Sequence, residues 1–397
     1  MRKPSSQWIR IGTVAAAATA AAFVPSAAFA ADPGYAGWNG GNGNYGMSSP
    51  AAGFPGADLT TNGSPVMIRS GQSIWMGEDT PFGAAFGSSR NQGYMGIGTT
   101  SNNSPSTTTL TFDAATPPAD WGFALGDIDV DMVQISGTDS SGNALTAADL
   151  GYQSSFNLCQ NSPRPAGCNS AATDQPTWNA ATMSLTGQNT GDTVGATGWF
   201  QPTASIASLT FTFTDFTGMP MFQFWVAAEA YEVVTPLKPI LISAPSEPGD
   251  PTDPDTIGSC DDMFGEVSLE LLDTEGAPVI VDGAPVVASL SEDDTFTFDQ
   301  VFPGSYQVQI LSDAHFPVDG ATVQPIEVTD GDTTGPSFSV ECVSDSAQPD
   351  PTDEPADDED EAHRPRLPVT GPGAGLWIAA LLAVAGGALA IRTARNH

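Results

Sequence analysis

From Val267 onward, apolar residues fall on every second position. Val267, Leu269 and Leu271 alternate with Ser268 and Glu270, and Phe296 and Phe298 with Thr295 and Thr297. Tyr306, Val308 and Ile310 alternate with Gln307 and Gln309, and Phe338, Val340 and Cys342 share one side. A period of two places one buried face on each strand, so residues 259–343 are expected to form a small β-sandwich. The preceding region, 31–243, follows the same rule. Leu209, Phe211 and Phe213 oppose Thr210, Thr212 and Thr214, and Phe222, Phe224 and Val226 oppose Gln223. Strands are predicted at Val66–Ile68, Thr108–Phe112, Trp121–Val130, Met132–Ser136, Ser208–Asp215 and Phe222–Val226. The Gly/Asn-rich opening from Gly34 to Tyr45 reads as loop. The expected class is all-β: a larger, jelly-roll-like sandwich followed by a smaller one.

The ends of the chain follow a different pattern. Residues 1–30 place Arg2, Lys3 and Arg10 before an alanine-rich apolar run and close on Ala28-Phe29-Ala30, which predicts a signal peptide cut after Ala30. A Pro/Asp-rich stretch at 244–258 is expected to link the two sandwiches. Residues 344–366 combine Pro349, Pro351 and Pro355 with the run Asp357 to Glu361. With so little to bury, this segment is expected to be a disordered, wall-spanning tether reaching roughly 70 Å. An uncharged apolar segment, 372–391, is long enough to span a bilayer, and the tail 392–397 carries Arg392 and Arg395.

Between tether and span lies Leu367-Pro368-Val369-Thr370-Gly371. With the apolar span and basic tail behind it, this segment resembles the LPxTG sorting signal of Gram-positive surface proteins. The resemblance implies that a sortase cysteine attacks the Thr370 carbonyl and releases Gly371 with the tail. A peptidoglycan amine then takes up Thr370. The implied product is secreted and covalently attached to the cell wall, its precursor only transiently in the plasma membrane. A second resemblance rests on Phe302-Pro303-Gly304-Ser305-Tyr306 and Gly265-Glu266-Val267, which are similar to turns of the prealbumin-like or Cna B-type (SpaA-like) stalk domains. Many such domains carry a Lys–Asn isopeptide bond starting on the first strand. Residues 259–343 contain no lysine, so that bond is not expected there.

The formal charge is −35, with 11 basic against 46 acidic residues. Removing both processed ends leaves six basic residues, which argues against nucleic acid as a partner. Export makes the four cysteines candidates for two disulfides. Of the three pairings, position favours Cys159–Cys168 and Cys260–Cys342.

Candidate chemistry is sparse. Asp127, Asp129 and Asp131 would share one face of a continuous strand and are candidate calcium ligands. Trp38, Trp75, Trp121, Trp178, Trp199 and Trp225 crowd the larger region, where exposed rings would stack on sugars. The histidines, His315, His363 and His397, all lie outside it, so no catalytic residue is expected and an enzyme is disfavoured. Lys238, in Thr235-Pro236-Leu237-Lys238-Pro239, is the sole lysine after Lys3. The expected role is an adhesin or binding module for a host or environmental glycan or protein. A pilus or surface structural subunit using Lys238 is the alternative, and an extracellular polysaccharide-active enzyme comes last.

Overall fold

The computed structural model describes residues 34–241 and 259–343, apart from positions 103, 189, 190, 219, 292, 330 and 332. The signal peptide, the stretch 244–258, the tether, the sorting motif and the apolar span lie outside the described residues. Among the described residues no helix is long and apolar enough to cross a membrane.

The all-β class is what the structure shows. The first sandwich pairs a seven-stranded sheet, built around Trp121–Gly126, Ala196–Phe200 and Met221–Ala228, with an eight-stranded sheet built around Ser106–Phe112, Asp131–Asp139 and Ile206–Asp215. Leu209, Phe211, Phe213, Phe222 and Phe224 are fully buried between the sheets, as their alternation requires. Met221–Ala228 is covered on its other face as well. There Trp225 and Ala227 join Phe82, Phe86, Trp199 and Leu158 in a second apolar cluster. The short helix Pro81–Phe86, capped by Thr80 Oγ1 accepting from Gly83 N at 3.1 Å, and the Cys159–Cys168 loop supply that cover. Gln223 is therefore buried despite its polar identity.

Two expectations need correction. The Gly/Asn-rich opening is not loop: Trp38–Gly41 and Asn44–Met47 form a hairpin on the eight-stranded sheet. Asn42 and Gly43, both at positive φ (54° and 84°), make the two-residue turn whose twist suits a hairpin. The second correction concerns Trp121–Val130. The strand ends at Gly126, Asp127 takes a left-handed φ of 64°, and the chain crosses to the opposite sheet before restarting at Asp131. A corner between sheets thus replaces the continuous strand.

The second sandwich begins earlier than its hydrophobic pattern indicates. Tyr231–Leu241 follows the last strand of the first sandwich almost directly. It pairs antiparallel with Thr295–Val301 and parallel with the last strand, Phe338–Cys342. By hydrogen bonding, residues 231–241 belong with the second sandwich and not with the region ending at 243. Pro236 and Pro239 break the alternation that would have marked this strand. Its other sheet contains Val287–Ser289, Ser268–Leu272, Gly304–Leu311 and Val323–Val328. Both disulfides form as paired by position, Cys159–Cys168 and Cys260–Cys342. The second joins Cys260, which precedes the Ser268–Leu272 strand, to the end of the last strand, with a sequence separation of 82.

The two sandwiches are fused through reciprocal insertions. Ala52 of the first donates its N–H to Gln300 O at 2.7 Å and accepts from Phe302 N at 2.8 Å. Ala52 packs in the second core, while Phe302 packs in the first, 5.6 Å from the Phe54 ring. Tyr306 donates its hydroxyl to Phe302 O at 2.9 Å and closes over Gly53, whose φ is 92°. A Cβ at Gly53 would overlap that hydroxyl. Gly53→Ala is therefore expected to loosen the junction and destabilise the protein by about 1–3 kcal/mol. Calorimetry checks this: the variant should melt in two separated transitions where the wild type melts in one, and an unchanged profile would contradict the junction's role.

Candidate functional site

The chemistry the sequence concentrates at Asp127–Asp131 lies at the corner where the chain leaves one sheet for the other. Asp129 and Asp131 are 3% and 2% exposed. Asp129 accepts from Val130 N at 2.7 Å through Oδ1 and from Thr193 N through Oδ2. Asp131 stands directly opposite Asp215 in the register of two paired strands, and each keeps a buried Oδ1 without a hydrogen-bond partner. Two carboxylates face to face in a dry place repel, which favours holding one of them protonated. Burial is the main cause that pushes the Asp131 carboxyl up to about 9, with Asp129, Asp127 and Asp215 adding to it. Asp129 is raised, mainly by burial.

Asp127 points elsewhere. It lines a cavity of about 440 Å³ together with Asp192, Gln223, Arg69, Tyr94 and the apolar side chains of Met67, Ile74, Val194 and Met221. Burial raises its carboxyl well above the usual range; Asp129 and Asp192 add to this, a hydrogen bond from Gln223 opposes it, and Asp174 contributes least. Gln223 is 5% exposed, and its Oε1 has no partner. Tyr94 stacks on Trp225 at 4.5 Å, and burial first, then the charge of Asp127, pushes its hydroxyl up to about 12 against the pull of Arg69.

The corner thus separates residues that a continuous strand would have aligned. Asp127 faces the cavity, while Asp131 faces Asp215. Among the described residues no group of three or more His, Cys, Asp or Glu side chains is arranged to hold a metal ion. The calcium triad expected on one strand face is therefore not assembled, because the left-handed Asp127 turns that face over.

The tryptophans are also placed otherwise than a sugar platform requires. Trp121 and Trp225 are fully buried, and Trp75 and Trp199 nearly so. Trp38 and Trp178 are half-buried and pack against the first core. Trp75 carries Arg90 over its ring at 5.5 Å. Their apolar bodies fill the two faces of the seven-stranded sheet. His315 is exposed in a turn and pairs with Asp313 at 3.1 Å. Lys238 is exposed on the Tyr231–Leu241 strand, opposite Ser339. The lysine missing from 259–343 is thus supplied by a strand that joins the same sandwich, yet its side chain is outside the core and the neighbouring last strand, Phe338–Cys342, carries no asparagine.

Neither protein-family models nor curated proteins match this chain. Among solved structures it is similar to BcpA, the major pilin subunit of Bacillus cereus, at 9% identity and a TM-score of 0.21, covering 60% of this chain and 65% of that one. It is similar to the full-length major pilin SpaD from Corynebacterium diphtheriae at 11% identity and a TM-score of 0.21, covering 60% and 64%. The group B streptococcus pilus 2b backbone protein gives 10% identity and a TM-score of 0.21, covering 62% and 96%. The chain spans less than two thirds of the first two proteins. Overlaps this slight establish no shared function.

The Asp131–Asp215 pair yields a pH dependence. Because the folded carboxyl of Asp131 is raised to about 9 from an ordinary value near 3.8, the folded state binds the extra proton between those values. Its contribution to stability is full below about pH 4 and is lost as pH rises through about 9. Asp131→Asn, which cannot ionise, is expected to flatten that slope and to raise the melting temperature at pH 8–9. Thermal melts from pH 4 to 9 check it; parallel curves for the variant and wild type would contradict the pairing.

Proposed function

We propose that the protein is a structural subunit of the Gram-positive cell surface, exported and joined to peptidoglycan by a sortase through Thr370. The observation that carries this reading is the ordered succession at the C-terminus: Leu367-Pro368-Val369-Thr370-Gly371, an apolar span and a basic tail. Each element answers a separate need of transpeptidation. The span and arginines hold the chain at the membrane, Pro368 presents a bent backbone of low entropy, and Thr370 provides the acyl group. The folded part suits such an attachment. The strand nearest the tether, Phe338–Cys342, is hydrogen-bonded along its length to Tyr231–Leu241 and cross-linked to Cys260.

Lys238 favours the pilus form of this reading over simple display. It is exposed, it is the one amine side chain left after export, and it lies just beyond Pro236, where pairing with Thr295–Val301 ends. An amine so placed would accept the threonyl group of another copy's sorting signal, linking subunits by an amide bond. The adhesin reading loses the support of the tryptophans, which are spent on packing.

Wall fractions boiled in SDS test both parts. Wild-type cells are expected to give material that resists extraction and runs as a ladder. Lys238→Ala is expected to collapse the ladder to one wall-linked species. Thr370→Ala is expected to move most of the protein to the membrane and medium. A ladder that survives Lys238→Ala would overturn the polymer, and unchanged wall retention with Thr370→Ala would overturn the anchoring.

A further inference from the structure

The cavity beside Asp127 has a composition that the structural role leaves unused. At one end stand the carboxylates of Asp127 and Asp192 and the amide oxygen of Gln223; the walls are Met67, Ile74 and Val194. The polar end is built mainly of oxygens, and the Gln223 amide N–H donates to Asp127. Gln223 Oε1 is buried and lacks a donor, a condition that is unfavourable unless a ligand supplies one. Its position is imposed by the fold, because Met221–Ala228 is covered on both faces and Gln223 cannot turn to water. Asp129 and Asp174 add their negative fields at Asp127. Arg69 also lines the cavity, an exposed residue whose charge acts on Tyr94. Asp127 takes a left-handed φ of 64°, a conformation that aspartate tolerates, and lines the cavity from there.

A bare metal ion does not fit this arrangement. No three acidic, histidine or cysteine side chains are arranged to hold one among the described residues, and the apolar walls would give a hydrated ion nothing. A volume of about 440 Å³ suits a small organic ligand. Taken together, two acidic groups, an unfilled acceptor and apolar lining side chains match a positive head on an apolar stem.

We propose that this cavity binds an alkylammonium group, of the kind a lysine side chain or a free amine presents, with Asp127, Asp192 and Gln223 receiving the ammonium and Met67, Ile74 and Val194 enclosing the stem. The site is independent of wall anchoring and of Lys238, so each can fail without the other. An exported protein with a net negative surface would draw such cations toward it over a distance set by ionic strength.

The test is calorimetric titration of the full chain with Nα-acetyl-lysine methylamide and with n-hexylammonium. Methylammonium, Nα,Nε-diacetyl-lysine methylamide and calcium chloride are the comparisons. Both stemmed amines are expected to bind, and the stemless and neutral probes at least tenfold more weakly. Asp127→Asn, which suits a left-handed backbone and removes the charge, is expected to weaken hexylammonium at least tenfold while preserving the fold by circular dichroism. Gln223→Leu serves as a second variant, with a smaller loss expected. If lysine amide binds and hexylammonium does not, the backbone of a partner protein is recognised and the free-amine source falls. Equal binding of charged and neutral probes, heat from calcium with none from the amines, or an unchanged affinity in Asp127→Asn would each overturn the proposal.

Discussion

The parallel pairing of Tyr231–Leu241 with Phe338–Cys342 is the constraint on which the second sandwich depends. These are its first and last strands, so the chain enters and leaves through neighbours in one sheet. A pull on the first sandwich and an opposing pull on the segment after Cys342 act along these strands from opposite ends. Such a load shears the whole ladder at once and does not peel it bond by bond. Cys260–Cys342 adds a covalent path beside the ladder. Once the ladder has sheared, force arriving at Cys342 passes through the disulfide to Cys260, leaving the residues between them outside the load.

The junction extends this constraint to the first sandwich. Only Glu229 and Ala230 separate Met221–Ala228 from Tyr231–Leu241. The exchange of Ala52 for Phe302 between the two cores removes the freedom that a short connection alone would leave. Burying a phenylalanine is worth roughly 2–3 kcal/mol, a substantial share of a typical domain's stability. Phe302 belongs to the Phe302-Pro303-Gly304-Ser305-Tyr306 turn, so one short segment both crosses between the sheets of its own sandwich and fills its neighbour's core. Covering the outer face of the seven-stranded sheet with Phe82, Phe86 and the Cys159–Cys168 loop has a similar double effect. It stabilises the sheet and traps Gln223 beside Asp127.

Much of this was legible in the chain. Alternation located the buried faces at Val267–Leu271, Tyr306–Ile310 and Leu209–Phe213, because a strand with one wet face must alternate. Cysteine positions identified both disulfides. What escaped followed from contacts distant in sequence. Tyr231–Leu241 has prolines where alternation would be read, and only its partners reveal its sheet. Asn42-Gly43 carried a recognisable hairpin signal that glycine richness masked. The aspartate series looked like a strand face since period two was assumed to continue past Gly126; no local residue announces a left-handed Asp127. Asp215, Asp192 and Gln223, which complete the acidic corner, come from loops and strands that only the folded sheets bring together. A buried glutamine in an otherwise apolar strand was the one available hint, and it read as the solvent face.

Stretching single molecules between the N-terminal end and the segment after Cys342 tests the central claim most directly, that the folded chain carries load between wall and exterior. With the disulfide intact, unravelling the second sandwich is expected to release roughly 100 Å, the chain from Tyr231 to Cys260. After reduction the release should grow by about 280 Å, the reach of the 82 positions between the cysteines. Equal release in both states, or yielding at forces too low to distinguish shear from peeling, would contradict a load-bearing subunit.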